Sequence, residues 1–219
     1  MAESAKRQAS PAARSVAWGF MALNAVGTAA VAFRYVLPKV PFPTPLPNFY
    51  ARHGWLVAHA TLSAIALLVG PWQFRVGFRD GYRAVHRALG RVYCLAVVAG
   101  WITSLPIEAH AQTGVAASAG FLALGAVWIA TTSAAYISVC KGRLPSHRRW
   151  MIRSYSATLA AVTLRSYLPL LLVASVPLRT SYPLVAWMCW MPNLAVAEWL
   201  VRRRRRAPVR FGDPGGSSI

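Results

Sequence analysis

Apolar residues fall along this chain in six long runs, each about the length that crosses a bilayer. A hydrocarbon core of about 30 Å takes roughly 20 helical residues. Stretches at about 15–36, 55–73, 88–108, 118–139, 150–174 and 182–201 meet that requirement. The pattern predicts an all-α integral membrane bundle of six transmembrane helices over 15–201, flanked by an N-terminal tail (1–14) and a basic C-terminal tail (202–219). The first interval carries Pro38, Pro41, Pro43, Pro45 and Pro47. Proline removes a backbone donor and clashes inside a helix, so this interval reads as an extended linker. Two intervals, around 74–87 and 141–149, are rich in arginine, and those near 109–117 and 175–181 are short. Ser146 after Pro145 reads as the N-cap of the fifth helix, and Asp80–Gly81 as a turn.

Composition points the same way. Hydrophobic residues make up 56% of the 219 and charged residues only 13%, with a mean hydropathy of +0.41. Soluble domains carry about a quarter charged residues. The 24 Lys and Arg face five acids. On a soluble chain a net charge of +19 would suggest nucleic acid. Here the basic residues sit between apolar runs, which fits topology charges and contacts with anionic lipid headgroups, and no nucleic acid. Arg34, Lys39, Arg52 and Arg179 fall on one side of the membrane and Arg165 within a helix, leaving 19 of the 24 on the other. Basic loops stay cytoplasmic, so both termini are expected in the cytoplasm and the chain in the cell membrane. Trp55, Trp72, Trp150 and Trp199 fall near helix ends, as aromatic belts do.

The first run, with its charged start and the small residues Thr28, Ala29 and Ala30, also fits a cleaved signal peptide. Its apolar length favours a retained anchor. Cys94, Cys140 and Cys189 stand in separate runs without CxxC spacing, so no metal site or disulfide is indicated.

Several short runs carry a family resemblance: His59, Gly70 to Phe74 (GPWQF), His86 to Tyr93 (HRALGRVY), His147 to Tyr155 (HRRWMIRSY) and Leu164 to Leu170 (LRSYLPL). From residue 55 onward the chain resembles the predicted membrane proteins called domain of unknown function 2306. The resemblance implies a polytopic membrane protein and brings no reaction or substrate.

Polar residues inside the apolar runs are the candidate chemistry, because ionisable groups in lipid face protein or a cavity. At about 100° per residue, His147, Ser154, Thr158 and Arg165 share one face of the fifth helix. His86, Gly90, Tyr93, Gly100, Ser104 and Glu108 share one face of the third, and His59, Ser63, Gly70 and Gln73 one face of the second. Such seams also mediate plain helix packing. Arg165 stays charged, and Glu108 is the candidate partner across the third and fifth helices. Arg165 is otherwise placed to snorkel outward past Pro169 or to bind an anion in a central cavity.

Three readings of the histidines remain open. A b-type haem would use His86 and His147, with Arg87, Arg91, Arg148 and Arg149 toward its propionates; an outer haem on His59 with His110 or His53 fits poorly. A basic pocket would hold an anionic headgroup, phosphate or metabolite, as in a lipid-interacting protein or a transporter of a small anion, although no inverted repeat, broken helix or acidic ion site is visible. In the plainest reading the histidines hydrogen-bond interface backbone. No catalytic pair can be assembled from the five acids, and Glu198 four before Arg202 is an ordinary helical ion pair.

Overall fold

The computed structural model describes residues 11–34, 52–76, 81–109 and 113–205. The proline-rich linker, Asp80, His110 and the tail residues 1–10 and 206–219 lie outside the described residues. Eight helical segments occur among them: α1 (Pro11–Phe33), α2 (His53–Val76), α3 (Arg83–Glu108), α4 (Val115–Cys140), α5 (Leu144–Thr158), α6 (Ala160–Val173), α7 (Leu178–Met188) and α8 (Met191–Arg205). They make six spans long and apolar enough to cross a membrane, because α5 with α6 and α7 with α8 are each one interrupted span. The expected six-helix bundle is what forms.

Small and polar residues make up most of the buried set, and many large apolar ones face outward. Leu23, Leu95, Val115, Leu170 and Val173 are exposed, as are Trp55, Trp72 and Trp199. The buried set is dominated by Ala, Ser and Thr, among them Ala66, Ala96, Ala135, Ser154, Ser181 and Thr132. Lipid tails are as apolar as leucine, so burying leucine between helices gains little, and small residues that let backbones approach do the packing. α1 lies on α2 through Ala29, Ala32, Ala60 and Ala64, and Trp18 Nε1 donates to the Pro71 carbonyl at 2.9 Å. Thr28 and Ala29 are thus part of a packing face.

The runs that carry the resemblance meet one another. Gly70 leaves room for the Tyr155 ring; a Cβ there would fall inside the ring. Tyr155 Oη donates to the Leu67 carbonyl at 3.1 Å, and its ring meets Phe74 edge-on at 5.5 Å. Gln73 Nε2 donates to the His86 carbonyl at 3.0 Å.

Both interruptions have local causes. Pro192 has no N–H for the carbonyl one turn back, and the sixth span breaks at Cys189–Trp190, with Trp190 N–H reaching the Trp187 carbonyl at 3.4 Å. The fifth span breaks at Leu159. There the Thr158 hydroxyl lies 3.2 Å from the Ser154 carbonyl four residues back, a contact that loosens a helix ladder. The two breaks are clasped together: Thr163 Oγ1 donates to the Cys189 carbonyl, and Asn193 Nδ2 donates to that carbonyl at 3.0 Å and to Thr163 Oγ1 at 3.2 Å. Broken helices, which the sequence pattern does not reveal, are therefore present. Ser146 is not the expected N-cap: α5 starts earlier with Pro145 in its first turn and Arg143 at the cap position, and Ser146 Oγ lies 3.2 Å from Ser138 Oγ.

Gly70→Ala is expected to destabilise the protein by about 1–3 kcal/mol through overpacking. Gly19→Ala, where nothing stands within 4 Å, should be neutral or stabilising. Thermal unfolding of the two variants in one detergent compares them.

Candidate functional site

Antiparallel neighbours bring the starts of α2 and α4 and the ends of α3 and α6 to one end of the bundle, opposite the arginine-rich connections. A cavity of about 150 Å³ lies among these helices, lined by His59, Ser63, Ser104, Glu108, Trp128, Thr158 and Arg165 together with apolar side chains. The three intramembrane ionisable residues singled out from the sequence thus share one wall-to-wall space. They come from three different spans.

Each is held differently. His59 Nδ1 lies 2.9 Å from the Gly100 carbonyl. A carbonyl only accepts, so Nδ1 carries the proton and Nε2 offers a lone pair. Ser63 Oγ stands 3.5 Å from that Nε2. Arg165 Nη1 donates to the Ala161 carbonyl, one turn back, at 3.0 Å. Glu108 Oε2 is buried with no hydrogen-bond partner among the described residues, close to Gly125, whose missing side chain leaves it space. Arg165 and Glu108 therefore meet as parts of one cavity lining, and Glu108 Oε2 has no donor from that guanidinium.

Below the cavity the polar faces of α3 and α5 face each other. Tyr93 Oη lies 2.8 Å from both Ser154 Oγ and Thr158 Oγ1. Trp128 Nε1 donates to Thr158 Oγ1 at 2.9 Å, and Thr132 Oγ1 lies 2.7 Å from Ser154 Oγ. Helical phase alone put Tyr93, Ser154 and Thr158 on these faces. Thr132 and Trp128 were missed, although Thr131, Thr132 and Ser133 are a polar triplet inside an apolar run.

At the arginine-rich end, His86 and His147 come within Coulombic reach of each other. His147 Nδ1 donates to the Ala135 carbonyl at 2.9 Å, the backbone bond that the plainest reading expected. His86 Nδ1 is buried without a hydrogen-bond partner among the described residues. Arg87, Arg91 and Arg148 are exposed and Arg149 is half-buried. No group of three or more His, Cys, Asp or Glu side chains converges on a metal position among the described residues, and Cys94, Cys140 and Cys189 are free thiols.

Glu198 does pair with Arg202, at 3.0 Å. It also takes Arg153 from α5 at 2.6 Å, and Arg153 lies 4.7 Å from the Trp150 ring centre. Arg153 therefore clasps α5 to α8, a role that charge counting along the loops does not show.

An all-helical bundle with six apolar spans and ionisable residues gathered inside it defines a polytopic membrane protein. Residues 56–201 match the model of the family described as predicted membrane protein, domain of unknown function 2306, and the chain belongs to that family. No curated protein and no solved structure matches it.

Removing either Arg153 (to Met) or Glu198 (to Gln) is expected to lower stability, and the double variant should lose less than the sum of the two. A double-mutant cycle measured at low and high salt checks this, the coupling shrinking as salt rises.

Proposed function

We propose that this membrane protein takes a small polar solute into the cavity between α2, α3, α4 and α6. The observation that carries the reading is Glu108 Oε2, a buried acceptor without a donor among the described residues, facing a space that His59 and Arg165 also line. Buried polar atoms are almost always satisfied, so an orphan beside a cavity calls for an occupant. Glu108 Oε2 asks for a donor, so the solute carries at least one N–H or O–H group. A bare anion suits this wall poorly. The size allows several waters or a solute of a few heavy atoms. The span interrupted at Leu159, which lines the cavity through Thr158 and Ala160, fits a transport role, since broken helices line solute sites in transporters.

The orientation belongs to the same proposal. Nineteen basic residues lying on one side support a cytoplasmic arginine-rich end, both termini in the cytoplasm of a cell-membrane protein, and anionic headgroups around Arg87, Arg91, Arg148 and Arg149. In intact cells, Val115→Cys, at an exposed position, should react with an external impermeant thiol reagent and Lys141→Cys should not.

Cavity access is tested in a chain whose three native cysteines are alanine. Ser63→Cys should be modified by methanethiosulfonate ethylammonium, and adding Glu108→Gln should slow the reaction by removing the attraction for the cationic reagent. A Ser63→Cys thiol as inert as a lipid-facing Leu95→Cys would rule the solute site out.

A second reading, b-type haem between His86 and His147, is favoured by one observation. The Nδ1 bond to Ala135 leaves His147 Nε2 available as a ligand, and His86 lies in the first turn of α3 at the same end of the bundle. Protein purified from haem-replete cells should then show a Soret band that His147→Ala abolishes; a colourless preparation removes this reading.

A further inference from the structure

Four side-chain hydroxyls form a line leading away from the cavity. Thr158, on the cavity wall, meets Tyr93 at 2.8 Å, Tyr93 meets Ser154 at 2.8 Å, and Ser154 meets Thr132 at 2.7 Å. All four are buried; Tyr93 and Ser154 are 0% exposed. Each hydroxyl has one proton to give and an oxygen that accepts, and two complete settings of the four protons exist. In one, Thr158 donates to Tyr93, Tyr93 to Ser154, Ser154 to Thr132, and Thr132 to the Trp128 carbonyl 2.8 Å away. In the other every proton is reversed: Thr132 donates to Ser154, Ser154 to Tyr93, Tyr93 to Thr158, and Thr158 to the Ser154 carbonyl at 3.2 Å. Trp128 Nε1 donates to Thr158 Oγ1 in both. Either setting places all four protons in hydrogen bonds, so reversal leaves no donor unpaired, the outcome that makes a buried network costly to rearrange.

The ends of the line carry proton-exchanging groups. The cavity end opens on the space lined by His59 and Glu108. Toward the other end, His147 is fixed to the Ala135 carbonyl, three residues and about 4.5 Å of helix rise from Thr132. With its proton on Nδ1, His147 Nε2 is the acceptor, and His86 stands nearby.

We infer that the hydroxyl line is a proton relay between the intramembrane cavity and the arginine-rich end of the bundle. It rests on the cavity admitting polar solute, here water. A proton from hydronium in the cavity bonds to Thr158 Oγ1 while the proton already there moves to Tyr93, that of Tyr93 to Ser154 and that of Ser154 to Thr132. The Thr132 hydroxyl, turned off the Trp128 carbonyl, gives its proton to a water on the His147 side, and that water passes one of its own to His147 Nε2. Each oxygen forms one O–H bond and breaks one, nothing is oxidised or reduced, and the line is left in its reversed setting. Turning the four hydroxyls back readies it for the next proton.

The test uses the full chain reconstituted into phosphatidylcholine–phosphatidylglycerol vesicles containing pyranine, with a potassium gradient and valinomycin driving protons inward. Wild-type vesicles should acidify faster than protein-free ones. Tyr93→Phe, which deletes the middle oxygen, and Thr132→Val, which deletes the last, should each return the rate to the protein-free level. Wild-type flux no greater than that of protein-free vesicles, or undiminished flux in both variants, overturns the relay. Should Tyr93→Phe fail to fold, Thr132→Val alone decides. Labelled Ser63→Cys without proton flux sinks the relay and leaves the solute site standing, whereas an inert Ser63→Cys sinks the solute site first.

Discussion

Hydrocarbon gives a hydrogen-bonding group nothing to bond to, and the arrangement of this bundle follows from that one deficiency. Every hydroxyl, indole N–H and imidazole placed inside has to find its partner on the same or a neighbouring helix. Ser and Thr side chains here do so mostly on carbonyls three or four residues back, as Thr103, Thr131 and Ser138 do. The exceptions reach across helices, and they concentrate where α3, α4 and α5 meet around Tyr93. Glu108 Oε2 has no such partner among the described residues, which makes the space beside it the place to look for chemistry.

The same deficiency explains why the packing is inverted relative to a water-soluble domain. Alanine, glycine and serine sit between helices because they let polar backbone and side chains approach within bonding distance. Gly100 illustrates both uses at once. Its carbonyl receives His59, and the Trp128 ring lies 3.2 Å from where a Cβ would stand. Trp128 is thereby positioned to reach Thr158 and close the hydroxyl cluster from the α4 side.

Much of this could be read from the chain before folding it. Six apolar runs of bilayer length, and helical phase alone, put His59, Glu108, Arg165, Tyr93, Ser154 and Thr158 on inward faces, because a transmembrane helix has few degrees of freedom. What could not be read were relations between helices. Arg153 looked like one more loop charge, since nothing local distinguishes it from Arg148 or Arg149; only the packing of α5 on α8 brings it to Glu198. The break at Leu159 has no proline to announce it. Pro192 stands beside the other, but a proline is equally at home near a helix start, so it did not mark a break within the run 182–201. Ser146 was misplaced for a related reason: Pro145 begins α5 instead of preceding it.

The clasp between Thr163, Cys189 and Asn193 ties an interruption in one span to an interruption in the next. Two joints fastened at a shared pivot cannot flex independently. Any swing of α6 about Leu159 drags the Cys189–Trp190 corner with it, so the Arg165-bearing wall of the cavity moves only together with the α7–α8 elbow.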